Sequence, residues 1–276
     1  MDEVNSILEK CTLEDLERAG LKMYQLKDGF RFGTDSALLA WFASSFVRSG
    51  TSGNLGKVTA KPCKVLELGS GCGACSLLIL GRKEQTTIDA VELMKAPYEV
   101  LLENIKLNDL GKRLNAYNCD IRELCPEVKN KQYDIVVFNP PFFLKERGTA
   151  ASEEKSIERL NGRFEENGSL QDFVDCAASR VIPSSGFVVM IMKGNRLKDC
   201  LEAFSRAGIT PERLLTVHSF SDKQASMILL AGKRGVKSTE LKILPPLILN
   251  EKTEGGSEMT EYAKHIYNDP HDDCFI

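Results

Sequence analysis

The chain has 276 residues, 42% of them hydrophobic, and a formal net charge of −3 at pH 7. This length and apolar content suit one large core, so we expect a single domain over residues 1–276. No apolar run approaches the length of a membrane span, which excludes a helical membrane protein. The slight negative charge argues against a nucleic-acid binder, since neutralisation of phosphates is the main source of affinity for nucleic acid.

The nine cysteines follow no regular spacing, and the acid-rich stretch from Met1 to Arg18 does not have the pattern of a signal peptide. Both observations predict reduced thiols in a cytoplasmic protein. Cys72 and Cys75 form a Cys-x-x-Cys pair, but no second pair or histidine cluster completes a tetrahedral site. We therefore predict no bound metal.

Residues 1–48 are predicted to form an N-terminal helical segment. The apolar spacing between Val4 and Arg18 suits short surface helices. A further helix is expected from Ser36 to Val47, capped by Thr34 or Asp35. Residues 49–62 are rich in glycine, serine and threonine and are expected to form a linker loop.

Residues 63–235 alternate between strands and helices, the pattern of a doubly wound parallel α/β sheet. The first strand, Cys63–Leu68, leads into a turn that carries Gly69, Gly71 and Gly73, and the apolar stretch after this turn starts a helix. Without Cβ atoms, the backbone of such a turn can approach a nucleotide cofactor closely. The turn is therefore a candidate cofactor-binding loop.

Two further strands end in acidic residues. Ile88–Glu92 places a carboxylate about 20 residues after the glycine turn, the spacing at which an acid can bind a ribose diol. Leu114–Asp120 ends in a second acid, which is suited to accept a hydrogen bond from the amino group of a cofactor adenine. We expect both carboxylates at the carboxyl edge of the sheet.

The fourth strand, Tyr133–Phe138, is followed by Asn139, Pro140, Pro141 and Phe142. The two prolines remove backbone donors and restrict φ, and they push Asn139 towards extended geometry. The Asn139 amide oxygen and the Pro140 carbonyl then offer two fixed acceptors for the two hydrogens of a planar amino group. Taken alone, the tetrapeptide favours a simpler interpretation, a strand end followed by an ordinary Pro-Pro loop.

A glycine turn, an acid, an acid and Asn-Pro-Pro-Phe at four successive strand ends resemble the class I S-adenosylmethionine-dependent methyltransferases. The last motif resembles their amino-methylating branch. Phe30–Ala40, which contains Gly-Thr-Asp, is similar to the segment before the first strand in the bacterial tRNA (adenine-N6) methyltransferase family. Val217–Ser219, Leu244–Leu249 and Glu261–Tyr267 resemble its closing strands and C-terminal extension, so the resemblance covers residues 20–267.

The resemblance implies a Rossmann-like sheet of seven strands with the last strand antiparallel, S-adenosyl-L-methionine as cofactor, and N6-methylation of an adenine in RNA, specifically a tRNA. The chain departs from the family at Ser219 and Phe220, where proline often follows the residue matching His218. It also departs at Phe142, where many members have tyrosine. The second change removes a hydroxyl but keeps the aromatic face, and the first leaves the RNA specificity open.

The resemblance also implies roles for the candidate residues. Asn139 and Pro140 are expected to hold the acceptor amino group, Pro141 to restrict the bend, and Phe142 to stack on the target base. The residues expected to bind the cofactor are Thr34, Asp35, Glu67, Gly69, Gly71, Gly73, Glu92, Asp120 and Asn139. Among them, Glu92 is assigned to the ribose, Asp120 to the adenine, and Glu67 with the glycines to the methionine portion.

The polar stretch 144–168 after this motif is placed where a substrate lid would lie. A helix is expected over Leu170–Arg180, and the closing strand pair over Leu214–Phe220 and Ser226–Ala231. Residues 236–276 are expected to form a C-terminal extension. Lysines and arginines cluster between 223 and 242, which indicates either a basic patch or ordinary solvated surface.

Other functions remain open on these residues. A protein-glutamine N5 methyltransferase acting on a release factor would present the same planar amino group, as would a methyltransferase for another amino group of an RNA base. An NAD-dependent dehydrogenase could share the glycine turn, although no catalytic histidine or Tyr-x-x-x-Lys motif is apparent. An inactive RNA-binding relative is disfavoured by the presence of Glu92, Asp120 and Asn139. We expect a monomer.

Overall fold

The computed structural model describes residues 7–28, 32–47, 62–140, 168–237 and 240–268. Pro141 and Phe142 lie outside the described residues. So do the expected linker, apart from Pro62, and the expected substrate lid, apart from Gly168.

The described residues form thirteen strands and seven α-helices. The strands are β1 (Cys11–Asp15), β2 (Lys22–Leu26), β3 (Cys63–Leu68), β4 (Thr86–Glu92), β5 (Leu114–Asn118), β6 (Ile135–Phe138), β7 (Phe187–Lys193), β8 (Ile209–His218), β9 (Ala225–Arg234), β10 (Lys242–Ile243), β11 (Leu247–Ile248), β12 (Asn250–Thr253) and β13 (Gly256–Met259). The helices are α1 (Thr34–Ser44), α2 (Ala74–Arg82), α3 (Lys95–Leu107), α4 (Pro126–Lys129), α5 (Leu170–Arg180), α6 (Leu197–Arg206) and α7 (Glu261–Asn268).

The central sheet confirms the predicted class I methyltransferase architecture. Its seven main strands lie in the order β8-β9-β7-β6-β3-β4-β5. The pairs between β3 and β4, β3 and β6, β4 and β5, and β6 and β7 are parallel, whereas β9 is antiparallel to both β7 and β8. The expected antiparallel last strand is therefore present. Two short strands, β10 and β11, extend the sheet beyond β8.

Helices cover both faces of this sheet, which explains why its central strands have continuous apolar runs rather than alternating ones. In β6, Ile135 and Val137 belong to the core cluster on the side of α1, α2 and α3. Val136 and Phe138 belong to the second cluster, which includes residues of α5 and α6. Both faces are thus dry, and the strands are held rigidly up to their carboxyl ends.

The prediction of short helices between Val4 and Arg18 is wrong for most of the described residues in this stretch. After two helical residues at positions 7 and 8, β1 and β2 form an antiparallel hairpin in which Cys11 lies opposite Leu26. The apolar spacing in this stretch fits a short helix as well as a strand, and pairing with β2 decides between them. The hairpin is docked on α3 by Asn104, which donates to the Tyr24 carbonyl and accepts from the Tyr24 N–H at 2.7 Å.

Helix α1, expected from Ser36 to Val47, runs from Thr34 to Ser44 and is buried from Ser36 onward. An apolar surface on all sides is typical of a helix surrounded by protein. Helix α1 contacts α2, the sheet and α7, and Trp41 packs edge-on against Tyr262 of α7 with ring centroids 6.2 Å apart. The C-terminal extension therefore covers the N-terminal segment.

The C-terminal end of α7 rests on two buried arginines. Arg18 donates to the carbonyls of Ile266 and Tyr267, and Arg82 donates to that of Ile266. Guanidinium groups at the carbonyl end of a helix complement its dipole. In the part of the chain that the structure describes, every helix is too short or too polar to cross a membrane.

Candidate active site

The carboxyl ends of β3, β4 and β6 meet at one edge of the sheet. Leu68 lies beside Val91 of β4 and beside Phe138 of β6. The glycine turn follows β3, Glu92 ends β4 and Asn139 follows β6, so the register brings these residues together. This edge is the usual ligand-binding position in doubly wound sheets.

The glycine turn uses left-handed backbone at three positions, with φ of +69° at Gly69, +55° at Gly71 and +91° at Gly73. A Cβ on Gly73 would lie 2.4 Å from Leu101 Cδ1, so α3 packs directly on the turn. A Cβ on Gly71 would meet nothing within 4 Å. Gly71 thus presents bare backbone to open space, which fits a cofactor cradle.

Glu67 lies beneath this turn rather than at its surface. Its carboxylate accepts a hydrogen bond from the Ser76 N–H at 3.0 Å and another from the Ser76 hydroxyl, and the residue is 5% exposed. Burial raises the pKa of Glu67 to about 7, and the Ser76 hydrogen bonds oppose this shift. Glu67 therefore joins β3 to the start of α2 and supports the turn from within.

Glu92 ends β4 and supports the same turn from the other side. One carboxylate oxygen accepts from the Gly71 N–H at 2.7 Å and the other from the Met94 N–H at 2.8 Å. Burial raises the pKa of Glu92, and these backbone donors counteract the shift. Each oxygen keeps a further lone pair, so the expected contact with a ribose diol is chemically compatible with the bonds already present.

Asp120 lies two residues beyond the end of β5 and pairs with Arg122. The Arg122 Nε donates to Oδ1 at 2.9 Å, and the side-chain hydrogen bond from Arg122 lowers the pKa of Asp120. Asp120 is ionised at neutral pH and can accept further hydrogen bonds. Arg122 did not feature among the candidates from sequence.

Asn139 shows the most distinctive arrangement at this edge. Its side-chain Nδ2 donates to Asp35 Oδ2 at 2.9 Å, across 104 positions of sequence. Its Oδ1 is buried and has no hydrogen-bond partner among the described residues. A buried carbonyl oxygen without a partner costs about 1–3 kcal/mol, so an orphaned oxygen at a strand end fits a group that a ligand is meant to satisfy.

The Gly-Thr-Asp segment forms side-chain hydrogen bonds with two neighbouring parts of the structure. Asp35 accepts from the Ser36 N–H at 2.9 Å through Oδ1 and from Asn139 through Oδ2. Thr34 is exposed, and its side chain forms a hydrogen bond with that of Tyr267 from α7. The segment is therefore fixed both to the strand end and to the C-terminal extension.

Besides Arg122, three more residues at this edge were missed by sequence reasoning. Ser70, inside the glycine turn, has a buried hydroxyl with no partner in the described part of the chain, a second orphaned group that fits a ligand. Met94, two residues after Glu92, is 45% exposed. Asn104 is fully buried on α3 and donates to the Cys72 carbonyl at 2.9 Å as well as binding the N-terminal hairpin. The sequence signal that could have identified Asn104 is its position as a polar residue between Leu101 and Ile105, which face the core.

Two other sequence features lie outside the site's chemistry. Burial raises the pKa of the Cys72 thiol to about 11, and the described residues contain no cluster of side chains suited to a metal ion. His218 is held by the Lys223 carbonyl at 2.7 Å and the Thr216 hydroxyl at 3.1 Å. These contacts are those of a residue that shapes the β8–β9 loop.

The basic cluster between 223 and 242 is split by the fold. Lys233 pairs with Glu212 at 3.1 Å, and Arg234 donates to the Ala178 carbonyl. Both residues end β9, which runs antiparallel to β7, so they lie at the edge opposite to Asn139. Only Lys223, which precedes β9, lies towards the carboxyl edge. A continuous basic patch is therefore absent from this part of the described structure.

The sequence was compared with protein families and curated proteins. The model of the "Methyltransferase small domain" family matches residues 39–176. The tRNA1(Val) (adenine(37)-N6)-methyltransferase of Christiangramia forsetii is 26% identical, over 68% of this chain and 70% of that protein. The protein of the same name from Flavobacterium psychrophilum is 24% identical, over 80% of this chain and 86% of that protein.

Solved structures show the same fold. A predicted O-methyltransferase from Agrobacterium tumefaciens superposes with a TM-score of 0.62 at 16% identity, covering 86% of this chain and 97% of that one. A protein assigned as a class I S-adenosylmethionine-dependent methyltransferase from Listeria monocytogenes gives a TM-score of 0.55 at 13% identity, covering 80% and 68%. At this identity the likeness concerns the fold alone.

Proposed function

The chain belongs to the methyltransferase small domain family, and we propose that it uses S-adenosylmethionine to methylate the N6 amino group of an adenine in tRNA. The single observation that carries the choice of acceptor is the Asn139 side chain. Its Oδ1 is buried and unpartnered in the described structure, while its Nδ2 is turned away towards Asp35. The names of the curated relatives support tRNA as the substrate class.

The site residues fit the cofactor that the family uses. Gly71 leaves open space above bare backbone, and the Ser70 hydroxyl beside it is buried without a partner among the described residues. We assign these two residues, with Gly69 and Gly73, to the methionine portion. We assign Glu92 to the ribose hydroxyls and Asp120 to the adenine. Glu67 would act from beneath by holding the turn on α2.

The acceptor nitrogen needs activation by geometry rather than by a strong base. S-adenosylmethionine supplies a methyl group on a sulfonium, already a strong electrophile. An adenine amino group is a poor nucleophile because its lone pair is delocalised into the ring. Acceptance of both N–H bonds by Asn139 Oδ1 and the Pro140 carbonyl favours a pyramidal nitrogen and stabilises the positive charge that develops on it. The resulting cation can lose its proton to water.

Three further assignments extend this proposal. The chain acts as one domain over residues 1–276, because the described C-terminal extension packs on the N-terminal segment through Trp41 and Tyr262. It acts as a monomer, which light scattering on the purified protein would test. Its site of action is the cytoplasm, where tRNA is the available substrate.

The decisive test offers the purified protein labelled S-adenosylmethionine with unmodified tRNA, or with a bacterial release factor as the rival acceptor. We expect label in tRNA, recovered as N6-methyladenosine by mass spectrometry of nucleosides. Label in a glutamine of the release factor, with none in tRNA, would replace this proposal by protein-glutamine methylation. Asn130→Ala, which alters an exposed asparagine at the end of α4, serves as the matched control for substitutions of Asn139.

A further inference from the structure

We infer that Asp35 is a positioning residue, which sets the orientation of the Asn139 amide and thereby the oxygen that receives the acceptor amine. This inference rests on the proposed function, because it gives Asn139 its role in methyl transfer. It assigns Asp35 an effect on the transfer step, in addition to the cofactor contact expected from sequence.

The hydrogen-bonding capacity of the two side chains allows only one orientation. An ionised carboxylate accepts and cannot donate, so only the NH2 group of Asn139 can face Asp35 Oδ2 at the observed 2.9 Å. Rotating the Asn139 amide by 180° would place two oxygens at that distance. Asp35 therefore holds Oδ1 on the other side of the amide, where it is buried and has no partner in the described part of the chain.

Asp35 is itself held firmly. Its other oxygen accepts from the Ser36 N–H at 2.9 Å in the first turn of α1. From Ser36 to Ser44 this helix is buried, and it packs against β6, the strand that ends at Phe138. Packed elements of this kind hold side chains in fixed geometry, so the carboxylate and the amide keep a constant relation without a flexible loop between them.

The charge of Asp35 adds a second effect. A hydrogen bond to an ionised group is roughly twice as strong as one between neutral groups. Chains of hydrogen bonds polarise one another, so the carboxylate makes Asn139 Oδ1 a stronger acceptor. The amine that donates to this oxygen gains positive charge during transfer. Asp35 would thus stabilise the transition state through Asn139 without touching the substrate.

The test compares wild type with Asp35→Asn and with the double variant Asp35→Asn, Asn139→Asp. In the single variant, the new amide can still accept from Ser36 and then directs its NH2 group at the NH2 group of Asn139. Asn139 must flip or move away, and its oxygen leaves the acceptor. We expect kcat for tRNA methylation to fall roughly 100-fold, the effect of losing one preorganised hydrogen-bonding group, with the affinity for S-adenosylhomocysteine changed less than about threefold.

In the double variant, the amide at position 35 donates to the carboxylate at position 139, whose second oxygen again faces the acceptor. We expect at least a roughly tenfold recovery of kcat over the single variant, since contacting partners are energetically coupled. A purely structural role of Asp35 would give no such recovery. Glu127→Gln changes a first-turn acid of α4 outside the site and should leave kcat unchanged. Wild-type kcat in Asp35→Asn, or absence of recovery, would overturn the inference.

A second measurement keeps the inference testable whatever the acceptor proves to be. Nuclear magnetic resonance of the side-chain amides, with Asn139 identified by its loss in Asn139→Asp, reports whether its NH2 protons are hydrogen-bonded. We expect their exchange with water to be at least tenfold slower in wild type than in Asp35→Ala, as for protected amides in general. Equal exchange would reject the pair. If wild type fails to methylate tRNA yet this difference is found, only the proposed function fails.

Discussion

The carboxylates on the cofactor side of the site and the Asn139 amide on the acceptor side differ in how their oxygens are hydrogen-bonded. On the cofactor side, both oxygens of Glu92 accept backbone hydrogen bonds, and Glu67 accepts two hydrogen bonds from Ser76. On the acceptor side, Asn139 uses only its NH2 group, and its oxygen is orphaned within the described structure. The contrast suggests that the carboxylates first shape the glycine turn, whereas Asn139 is reserved for a ligand.

The largest effect is expected from a substitution of Asn139, which changes the acceptor side alone. Asn139→Ala removes the orphaned oxygen, so we expect transfer to fall roughly 1000-fold, about 4 kcal/mol of transition-state stabilisation. The affinity for S-adenosylhomocysteine, measured by calorimetry, should change little. Loss of cofactor binding in a folded variant would place Asn139 on the cofactor side and remove the contrast. Asn130→Ala should behave as wild type in both assays.

On the cofactor side, substitution of Gly73 by alanine should lower the unfolding free energy much more than substitution of Gly71. A Cβ on Gly73 would overlap Leu101 and would also strain a left-handed residue, whereas a Cβ on Gly71 meets only the strain. We expect Gly73→Ala to cost about 3 kcal/mol of unfolding free energy and Gly71→Ala about 1 kcal/mol, the backbone term alone. Denaturant titration of both variants checks this, and equal losses would contradict the packing of α3 on the turn.

The buried carboxyl of Glu67 predicts a pH dependence of stability. Because its pKa is about 7 in the folded protein, above the usual value of 4.5, folding favours the protonated form. Its stabilising contribution is therefore complete below about pH 4.5 and is lost as the pH rises through about 7. The total change is roughly 3 kcal/mol, taking 1.36 kcal/mol per pKa unit over the difference between 4.5 and about 7.

Glu67→Gln cannot titrate at this position, so it isolates the effect from all other carboxyls. The unfolding free energy of wild type minus that of Glu67→Gln should decrease between pH 5 and pH 8. Denaturant titrations at several pH values measure this difference. A difference that is constant with pH, or one that increases, would show that Glu67 is already ionised in the folded protein without penalty.

The smallest effect is expected from substitutions of Glu92, which test its assigned role in binding the ribose. Glu92→Ala leaves the N–H groups of Gly71 and Met94 without their acceptor and removes the expected ribose contact. We expect affinity for S-adenosylhomocysteine to fall about 30-fold, near 2 kcal/mol, with little change in kcat at saturating cofactor. Glu92→Gln, which keeps one acceptor oxygen, should lie in between. Unchanged affinity in Glu92→Ala would refute the ribose assignment.

Much of the fold could be predicted because its signals are local. Leu170–Arg180 was predicted with the bounds that the structure has, and in the structure Ser169 and Asp172 form a capping box at its start. The four strand ends were located because buried runs stop at glycine, acid or Asn-Pro. The N-terminal hairpin was mistaken for helices because a few residues fit both periods, and because Asn104, on which it docks, is remote in sequence.

In the candidate site, too, some residues could be predicted from local sequence signals and some contacts could not. Glu67, Glu92, Asp120 and Asn139 follow from strand ends alone, because parallel strands finish at one edge. The pairing of Asp35 with Asn139 could not be predicted, since the Gly-Thr-Asp segment is equally suited to cap a helix. The basic cluster does not form one surface for the opposite reason: its members are close in sequence, but the antiparallel strand β9 separates them onto opposite edges of the sheet.

The sequence by itself determined which residues end the strands, and with them the fold class, the candidate cofactor loop and the amide that we propose for the acceptor. These properties depend on short-range patterns of burial, backbone freedom and proline restriction. Only the tertiary structure decided which partner each polar group meets: Ser76 for Glu67, Gly71 for Glu92 and Asp35 for Asn139. Hydrogen bonds reach only about 3 Å, so a group's chemistry depends on neighbours that the packing of distant segments brings within that distance.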